Sequence, residues 1–570
     1  MYMDYSILAE TYEKLEKIPS KLQKTEILAD LFKKTPAEEL PKVVLLIMGR
    51  VFPIYSEHEL GIANQMMLKT IAKASGFSVK EVEQKFKKTG DLGLTAEECI
   101  KGRRQATLLR KKLTVDHVFE SLKKLPFQTG QGSQEKKLAI ISELLVSAQP
   151  KEARYVVRTV IENLRVGAAE GIIRDAIVQA FLLKEGMSKE KKKEIVEAIE
   201  YAWNIISDSG EIARTAKEKG VEGLRKSHFQ LGRSVQVMLA EKAENMEEVF
   251  KEFKELFVET KYDGMRAQIH KRGNDIWIFT RRLEEVTKQF PDLVDLCRKG
   301  LNVKDCIVEG EVLGINNKTK LPFPFQVLSQ RIHRKYYIEQ MVKEIPIQIN
   351  LFDAVYVDGK VLTNEPLTER RKILEKIVKS IPGKFQLSEQ FLTNDIKKAE
   401  KFYKKALSEK QEGVMLKVPD SKYIFGRHVR GWYKIKPIME TLDLVIIGAT
   451  WGEGKRGKWL SSYVVACKDL DTGDFLECGM MSTGLTEDEY ENMTKVLKPL
   501  IVSENGKDVV IKPKVVVEVG YQEIQKSPTY SSGFALRFPR LVRIRQDRIA
   551  EDADTIERVM QLFKSQGRQG

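Results

Sequence analysis

A chain of 570 residues is too long for one ordinary core and suggests three or four domains. Its formal charge of +15 points to a polyanionic partner, nucleic acid first, while 31% charged residues also suits a chain adapted to heat. No apolar run approaches the roughly 18 to 20 residues that cross a bilayer. The opening MYMDYSILAETYEKLEK lacks the basic start and apolar middle of a signal peptide, so a cytoplasmic protein with no membrane partner is expected. Cys99, Cys297, Cys306, Cys467 and Cys478 are scattered, which predicts free thiols and no zinc.

About the first 225 residues read as successive helices, with apolar residues at three- and four-residue spacing in EKLEKIPSKLQKTEILADLFKK and KKEIVEAIEYAWNIISDSGEIARTAKEKG. Within them, QATLL lies in a basic stretch before LTVDHVFESL. EARYVVRTVIENLRVGAAEGIIRDAIVQAF reads as a helix, a glycine-containing break and a second helix, with Arg158, Arg165 and Arg174 among small residues. Helix starts with nearby arginines can hold phosphates, and solvated arginines on amphipathic helices would show the same spacing. From about Val235 the pattern turns to short strands such as RAQIHKRGNDIWIFTRR, CIVEGEVLGIN, PIQINLFDAVYVDGKVL and EGVMLKVP, interrupted by helices. This predicts an α+β unit with antiparallel sheets. After Pro437, TLDLVIIGATWG, SSYVVACKDL, FLECGMMSTG and KVVVEVGYQEI are closely spaced strands that suit a small β-barrel, followed by a last helix in DTIERVMQLFKSQ.

The chemistry gathers around ETKYDGMRAQIH, where Lys261 would end a strand beside an Asp-Gly turn. A lysine amine, with a free pKa of about 10.4, attacks an electrophile only after losing its proton. Partial burial and the charges of Arg266, Lys434 and Lys436 would favour the neutral amine. A carbonyl electrophile would give a Schiff base; a nucleotide α-phosphate would give a phosphoramidate. VEGEVL and EGVMLK place Glu311 and Glu412 as hard oxygen ligands for magnesium. WYKIKP alternates so that Lys434 and Lys436 share one strand face, where two ammonium groups neutralise a phosphate. LFDAVYVDG offers Phe352 as a flat apolar surface for a base. Each segment alone also describes a core strand with polar edges; their joint order favours phosphate chemistry.

That order, KYDGMR, FTRR, VEGEVL, LFDAVYVDG, EGVMLK, WYKIKP and RFPRLVRIRQDR, resembles ATP-dependent DNA ligases of the archaeal and eukaryotic replicative type over essentially the whole chain. The KxDGxR element alone is shared with RNA ligases and messenger RNA capping enzymes; the helical first region and RYVVRTVIENLRVGAAEG narrow the match. The resemblance implies a multidomain fold: an all-α DNA-binding domain over 1–228, an α+β nucleotidyltransferase (adenylation) domain over 229–437, and an OB-fold β-barrel with a C-terminal helix over 438–570. It implies sealing of 5′-phosphate/3′-hydroxyl nicks in duplex DNA during replication, repair and recombination, through a lysine-AMP and a DNA-adenylate.

On the same resemblance Lys261 is the adenylylated residue, Glu259 accepts from the adenine amino group and Phe352 stacks on the ring. Arg266 and Arg281 contact sugar and phosphate, Glu311 the ribose and metal, and Glu412 the metal. Lys417, Arg430, Lys434 and Lys436 face the phosphates. Arg158, Arg165 and Arg174 would meet DNA. Arg540, Arg545 and Arg548 would orient pyrophosphate, with a hinge near Lys436 to Thr441; Arg548 stands where the family more usually has lysine, and Glu309 where many relatives have Asp. QATLL resembles a sliding-clamp motif through Gln105, Leu108 and Leu109, two leucines replacing the usual aromatics. The implied requirements are ATP and Mg2+, with Mn2+ as a substitute; the implied partners are nicked duplex DNA and a sliding clamp. A cytoplasmic monomer is expected, associated with the nucleoid if archaeal.

Three rival readings stay open at this level: an RNA ligase or capping nucleotidyltransferase, a catalytically silent nucleic-acid scaffold, and an NAD-dependent ligase, whose nicotinamide module and four-cysteine zinc element are not visible in the sequence. If the basic excess serves phosphate contacts, affinity for nicked duplex falls steeply between low and moderate salt through counterion release. A flat response in a salt titration would assign that excess to stability instead.

Overall fold

The computed structural model describes residues 2–566 apart from 57, 105–110, 131, 244, 333, 335, 427–429, 438–440 and 453–455. Gln105, Leu108 and Leu109 of the clamp-like motif, and residues 438–440 of the expected hinge, therefore lie outside the described residues.

Helices from Tyr5–Lys17 to Ser209–Arg225 pack around a single apolar core. The first periodic stretch forms two helices, Tyr5–Lys17 and Lys21–Lys34, and the Ser20 hydroxyl caps the second by accepting from the Gln23 N–H. The arginine-bearing stretch forms Pro150–Val160 and Glu170–Ile177, with proline in the first turn of the former. Arg165 and Gly167 both take left-handed φ in the break between them.

Arg158 corrects the sequence expectation. It is 2% exposed and ion-paired to Glu16 at 3.0 Å and Asp91 at 3.2 Å. The facing position is Gly93, where a Cβ would lie 2.7 Å from the Arg158 Cγ, so the room for this arginine exists because a neighbour has no side chain. Its place is inside the helical core rather than on a DNA-facing surface. Arg165 is exposed and reaches Asp91 at 3.4 Å, and Arg174 is partly exposed, 3.6 Å from Glu200.

The central region contains two sheets. One has five strands in the order Glu241–Lys242, Trp432–Ile435, Gly413–Lys417, Leu256–Lys261, Gln390–Thr393. The other has six, built on Asp275–Thr280, Met265–Arg272, Asp305–Gly314, Ile347–Val357 and Lys360–Val361, with Phe385–Leu387 added in parallel to Ile347–Val357. Alternation divides each strand between two faces. Leu256, Val258, Val414, Leu416 and Ile435 form the outer core of the first sheet with Met246 and Ala399 from flanking helices. Ala267, Ile269, Val308, Ile349 and Leu351 form that of the second with Leu293, Leu328 and Leu374. The inner faces share a smaller cluster of Phe257, Ile307, Phe352, Val355, Tyr423 and Trp432.

The segment joining the helical region to these sheets is fastened by one row of side chains on Met265–Arg272. Arg266 donates to the Met238 carbonyl at 2.6 Å. The Gln268 amide accepts from the Val235 N–H at 2.8 Å and donates to the Val235 carbonyl at 3.1 Å. His270 Nδ1 accepts from the Gly232 N–H at 3.4 Å, and its Nε2 faces the Gln268 oxygen at 3.0 Å.

The last region is a seven-stranded barrel-like sheet whose long strand Leu442–Trp451 pairs with Leu460–Lys468, Asp508–Ile511 and Val516–Gly520; the helix Ile556–Ser565 contributes to its core. It touches the central region where Gln326 donates to Glu523 at 2.6 Å and Arg537 lies 5.9 Å from the Phe325 ring centre.

Burial pushes the His270 imidazole down to about 3, against about 6.5 when unfolded. Between these values the unfolded chain binds one more proton than the folded one, so stability falls as pH drops through that window, by about 1.4 kcal/mol per pH unit. Denaturation of His270→Gln between pH 4 and 7 should show that slope reduced; an unchanged slope would place the acid sensitivity elsewhere.

Candidate active site

KYDGMR is the point where the chain leaves one sheet and enters the other. Lys261 ends Leu256–Lys261 of the five-stranded sheet, and Arg266 is the second residue of Met265–Arg272 in the six-stranded one. The crossing is tight: a Cβ on Gly264 would collide with the Val312 carbonyl oxygen. Opposite Lys261 in register stands Gly413, at φ +142°, where a Cβ would strike the Ile435 carbonyl oxygen. The lysine thus stands at the mouth between two sheets, with glycine allowing close approach on both flanks.

Register decides what shares its face. Glu259 pairs with Met415, and Met415 with Lys434, so Glu259, Lys261, Met415, Lys417, Trp432, Lys434 and Lys436 all point to the inner side. At the mouth, Glu412 is ion-paired with Lys261 and holds Lys436 at 2.6 Å. Burial opposes the charge on Glu412, but Lys261 and Lys436 outweigh it and hold its carboxyl well below the usual range. Burial, then the charges of Lys261, Lys436 and Arg281, lowers the pKa of Lys434; burial and Lys261 do the same for Lys436. Cations outnumber carboxylates here, as an anion site requires. Arg281 and Arg430 are exposed nearby in the chain, just after Asp275–Thr280 and just before Trp432–Ile435.

Glu311 pairs in register with Arg266. Burial pushes its carboxyl up to about 7, even though Lys261 and Arg266 favour the charged form. Among the described residues no hydrogen bond or ion pair ends on it, so Lys261 and Arg266 act on it without direct contact. The arrangement suits a divalent cation. No group of three or more ligating side chains occurs among the described residues. Magnesium bound through one or two carboxylates and substrate phosphates does not need one.

Deeper in the cleft, Glu259 accepts from Lys417 at 2.6 Å and from the Ser388 hydroxyl at 2.9 Å. Lys417 Nζ also lies 4.7 Å from the Phe352 ring centre and 4.2 Å from that of Trp432. This corrects the expectation that Lys417 faces phosphates. It is opposite Phe257 and Trp432, four residues along its strand from Gly413 and hence roughly 13 Å from the mouth at the usual strand rise. Arg266 lies 5.4 Å from the Phe352 ring centre and pairs with Glu309 at 2.8 Å, which also accepts from Tyr423 at 2.9 Å.

The structure therefore brings together Glu259, Lys261, Arg266, Glu311, Phe352, Glu412, Lys417, Lys434 and Lys436. It does not bring the barrel arginines to them. Arg545 bonds Asp443 and Asp547, each at 2.7 Å, Arg548 lies 3.3 Å from Asp443, and Arg540 is exposed on Arg540–Ile544. Sequence reasoning missed Trp432, Ser388, Arg371 and Tyr423. Trp432 was within reach, because it alternates with Lys434 and Lys436; the others come from segments with no local signature.

Comparison with known proteins agrees along the chain. The model described as DNA ligase N terminus matches residues 4–178, that of the ATP dependent DNA ligase domain residues 237–436, and that of the ATP dependent DNA ligase C terminal region residues 456–548. The DNA ligase of Nanoarchaeum equitans (strain Kin4-M) is 45% identical and that of Thermococcus onnurineus (strain NA1) 44% identical, each alignment covering 99% of both chains. The solved structure named "Pmar-Lig_PreS3" has a TM-score of 0.56 over 94% of this chain and 99% of that one; at 17% identity this is a likeness of fold. With family models spanning the helical, central and barrel regions and full-length relatives above 40% identity, the chain belongs to the ATP-dependent DNA ligases.

Proposed function

We propose that Lys261 is the residue through which this ligase carries AMP. Its Nζ attacks the α-phosphorus of ATP, forming a P–N bond as the bond to pyrophosphate breaks. The 5′-phosphate at a nick in duplex DNA then takes the AMP, and the 3′-hydroxyl displaces AMP to close the strand. The observation that carries this is the position of Lys261 at the mouth between two sheets, on one face with Lys434 and Lys436 and in contact with Glu412. An amine attacks only when neutral, so the Lys261 ammonium must give up its proton before the P–N bond forms. Lys434 and Lys436, with Arg281 and Arg430 at the rim, supply the positive charge that an in-line phosphoryl transfer demands.

Glu259 and Phe352 would receive the adenine, and Arg266 the sugar. Glu311 and Glu412 would hold Mg2+, or Mn2+ in its place. A cation bound there would neutralise the triphosphate and give Glu311 a direct ionic partner. The division into 1–228, 229–437 and 438–570 is supported by cores drawn from residues 5–224, 238–435 and 442–562. In this reading the helical region binds nicked duplex through Arg165 and Arg174, and the barrel arginines Arg540, Arg545 and Arg548 orient pyrophosphate only after the barrel moves. Clamp binding through Gln105, Leu108 and Leu109 and action as a monomer complete the proposal. No helix among the described residues is long and apolar enough to cross a membrane, which is compatible with the cytoplasmic, nucleoid-associated setting proposed.

Incubation with α-labelled ATP and a divalent cation, followed by mapping, should give an acid-labile AMP adduct on Lys261, lost in Lys261→Ala. Lys436→Met should slow its formation by about 100- to 1,000-fold, the usual cost of removing one preorganised charge-stabilising group. Label on another residue would remove the mechanism, and transfer of AMP to RNA ends but not to nicked DNA would overturn the assigned acceptor.

A further inference from the structure

Glu259 is 3% exposed, and the side chains that bond it are all donors. Lys417, 1% exposed, meets Oε1 with an ammonium that has no lone pair to offer. Ser388 gives its single hydroxyl proton to Oε2, while its own oxygen accepts from an Arg371 NH group at 3.1 Å. The same guanidinium fixes the Ser388 carbonyl at 3.1 Å. Gln390, with its amide turned to satisfy both ends, gives its NH2 to Oε2 at 3.1 Å and accepts from Arg371 Nε at 3.1 Å. Arg371 thus makes two neighbours present hydrogens to Glu259, and Lys417 neutralises the carboxylate that results.

A carboxylate so surrounded is confined to accepting. Any further polar group that enters must bring a proton, and a carbonyl oxygen would meet lone pairs in a desolvated place. On one side lies Phe352, the flat surface proposed for the base, with Lys417 between it and Trp432. Adenine carries an amino group at the purine six-position and guanine a carbonyl oxygen.

We propose that Lys417, with Ser388 and Arg371 behind it, is the positioning group that keeps Glu259 an acceptor for the adenine amino group and so selects ATP over GTP. The inference rests on the nucleotide reading given under the proposed function. Removing Lys417 leaves the buried Glu259 without its ion pair, and removing Ser388 takes away a second of the donors that hold the carboxylate in place. A carboxylate no longer held by its donors can turn its lone pairs away from the entering group, and the barrier to a six-position carbonyl falls. Lys417→Arg keeps the charge, whereas Lys417→Met keeps the bulk alone.

The test is labelling of Lys261 with α-labelled ATP and α-labelled GTP, taking KM and kcat for each in the full-length parent, Lys417→Met, Lys417→Arg and Ser388→Ala. The parent should favour ATP by at least about 100-fold, as expected of a site built around a substrate N–H. Lys417→Met should lower that ratio at least tenfold, mainly through KM for ATP; Lys417→Arg should restore most of it, and Ser388→Ala should fall between. If Lys417→Met does not fold, Ser388→Ala, which leaves the ion pair intact, carries the test. A parental ATP-to-GTP ratio in Lys417→Met, or in Ser388→Ala should Lys417→Met not fold, overturns the inference while leaving Lys261 chemistry standing. Absence of label on the parent's Lys261 would sink the nucleotide reading and this inference with it.

Discussion

Charge can be buried between two sheets only in pairs. Asp353 and Arg370, both fully buried, form a bidentate bond of 2.8 and 2.9 Å; Glu259 has Lys417, and Glu309 has Arg266. A lone ion at any of these places would cost several kcal/mol, so each partner fixes where the other may stand. The inner faces of the sheets are thereby locked into one register. Toward the mouth the pairing stops balancing: one carboxylate, Glu412, sits between two ammonium groups, Lys434 adds a third cation, and Glu311 has no hydrogen-bonded partner among the described residues. Structural charge and reactive charge are separated along the same strands by whether the pairing is complete.

That separation follows from elementary strand geometry. Two-residue alternation puts Phe257, Glu259 and Lys261 in a line running from apolar interior to solvent. The neighbouring strands repeat the gradient, Lys417 to Gly413 on one and Trp432 to Lys436 on the other. A nucleotide laid along such a gradient would place its base where the walls are aromatic and desolvated and its phosphates where cations are in excess. The crossing at Gly264 turns the second wall toward the first and sets Arg266 across from the lysine strand.

Much of this could be read from one sequence because the relevant signals are local. Helical spacing marked the first region, strand spacing and turns marked the central and barrel regions, and alternation put Lys434 beside Lys436. What could not be read was depth. The sequence shows that Lys417 ends a strand but not that this end is the inner one, which depends on its register against Phe257 and Trp432. It shows arginines on amphipathic helices but not that Gly93 opens a buried niche for Arg158. The attachment of Arg545 and Arg548 to Asp443, about a hundred residues away in the chain, has no trace in local pattern. Ser388 and Arg371 were invisible for the same reason, since their importance lies in the hydrogen they direct at a residue from another element.

The fastening of residues 232–238 to the sheet also fixes how far the helical region can travel. On its other side this strip holds the helical region by few bonds: Gln236 N–H to the Asn204 carbonyl at 2.9 Å, Ser207 to the Ser234 carbonyl, and Arg233 to Glu211. If these let go while the Gly232, Val235 and Met238 anchors hold, the free leash runs only from the helix end at Arg225 to Gly232. Seven residues fully stretched span at most about 23 to 25 Å. With those anchors intact, the end of the helical region at Arg225 stays within that distance of Gly232 and so of the sheet that carries Arg266.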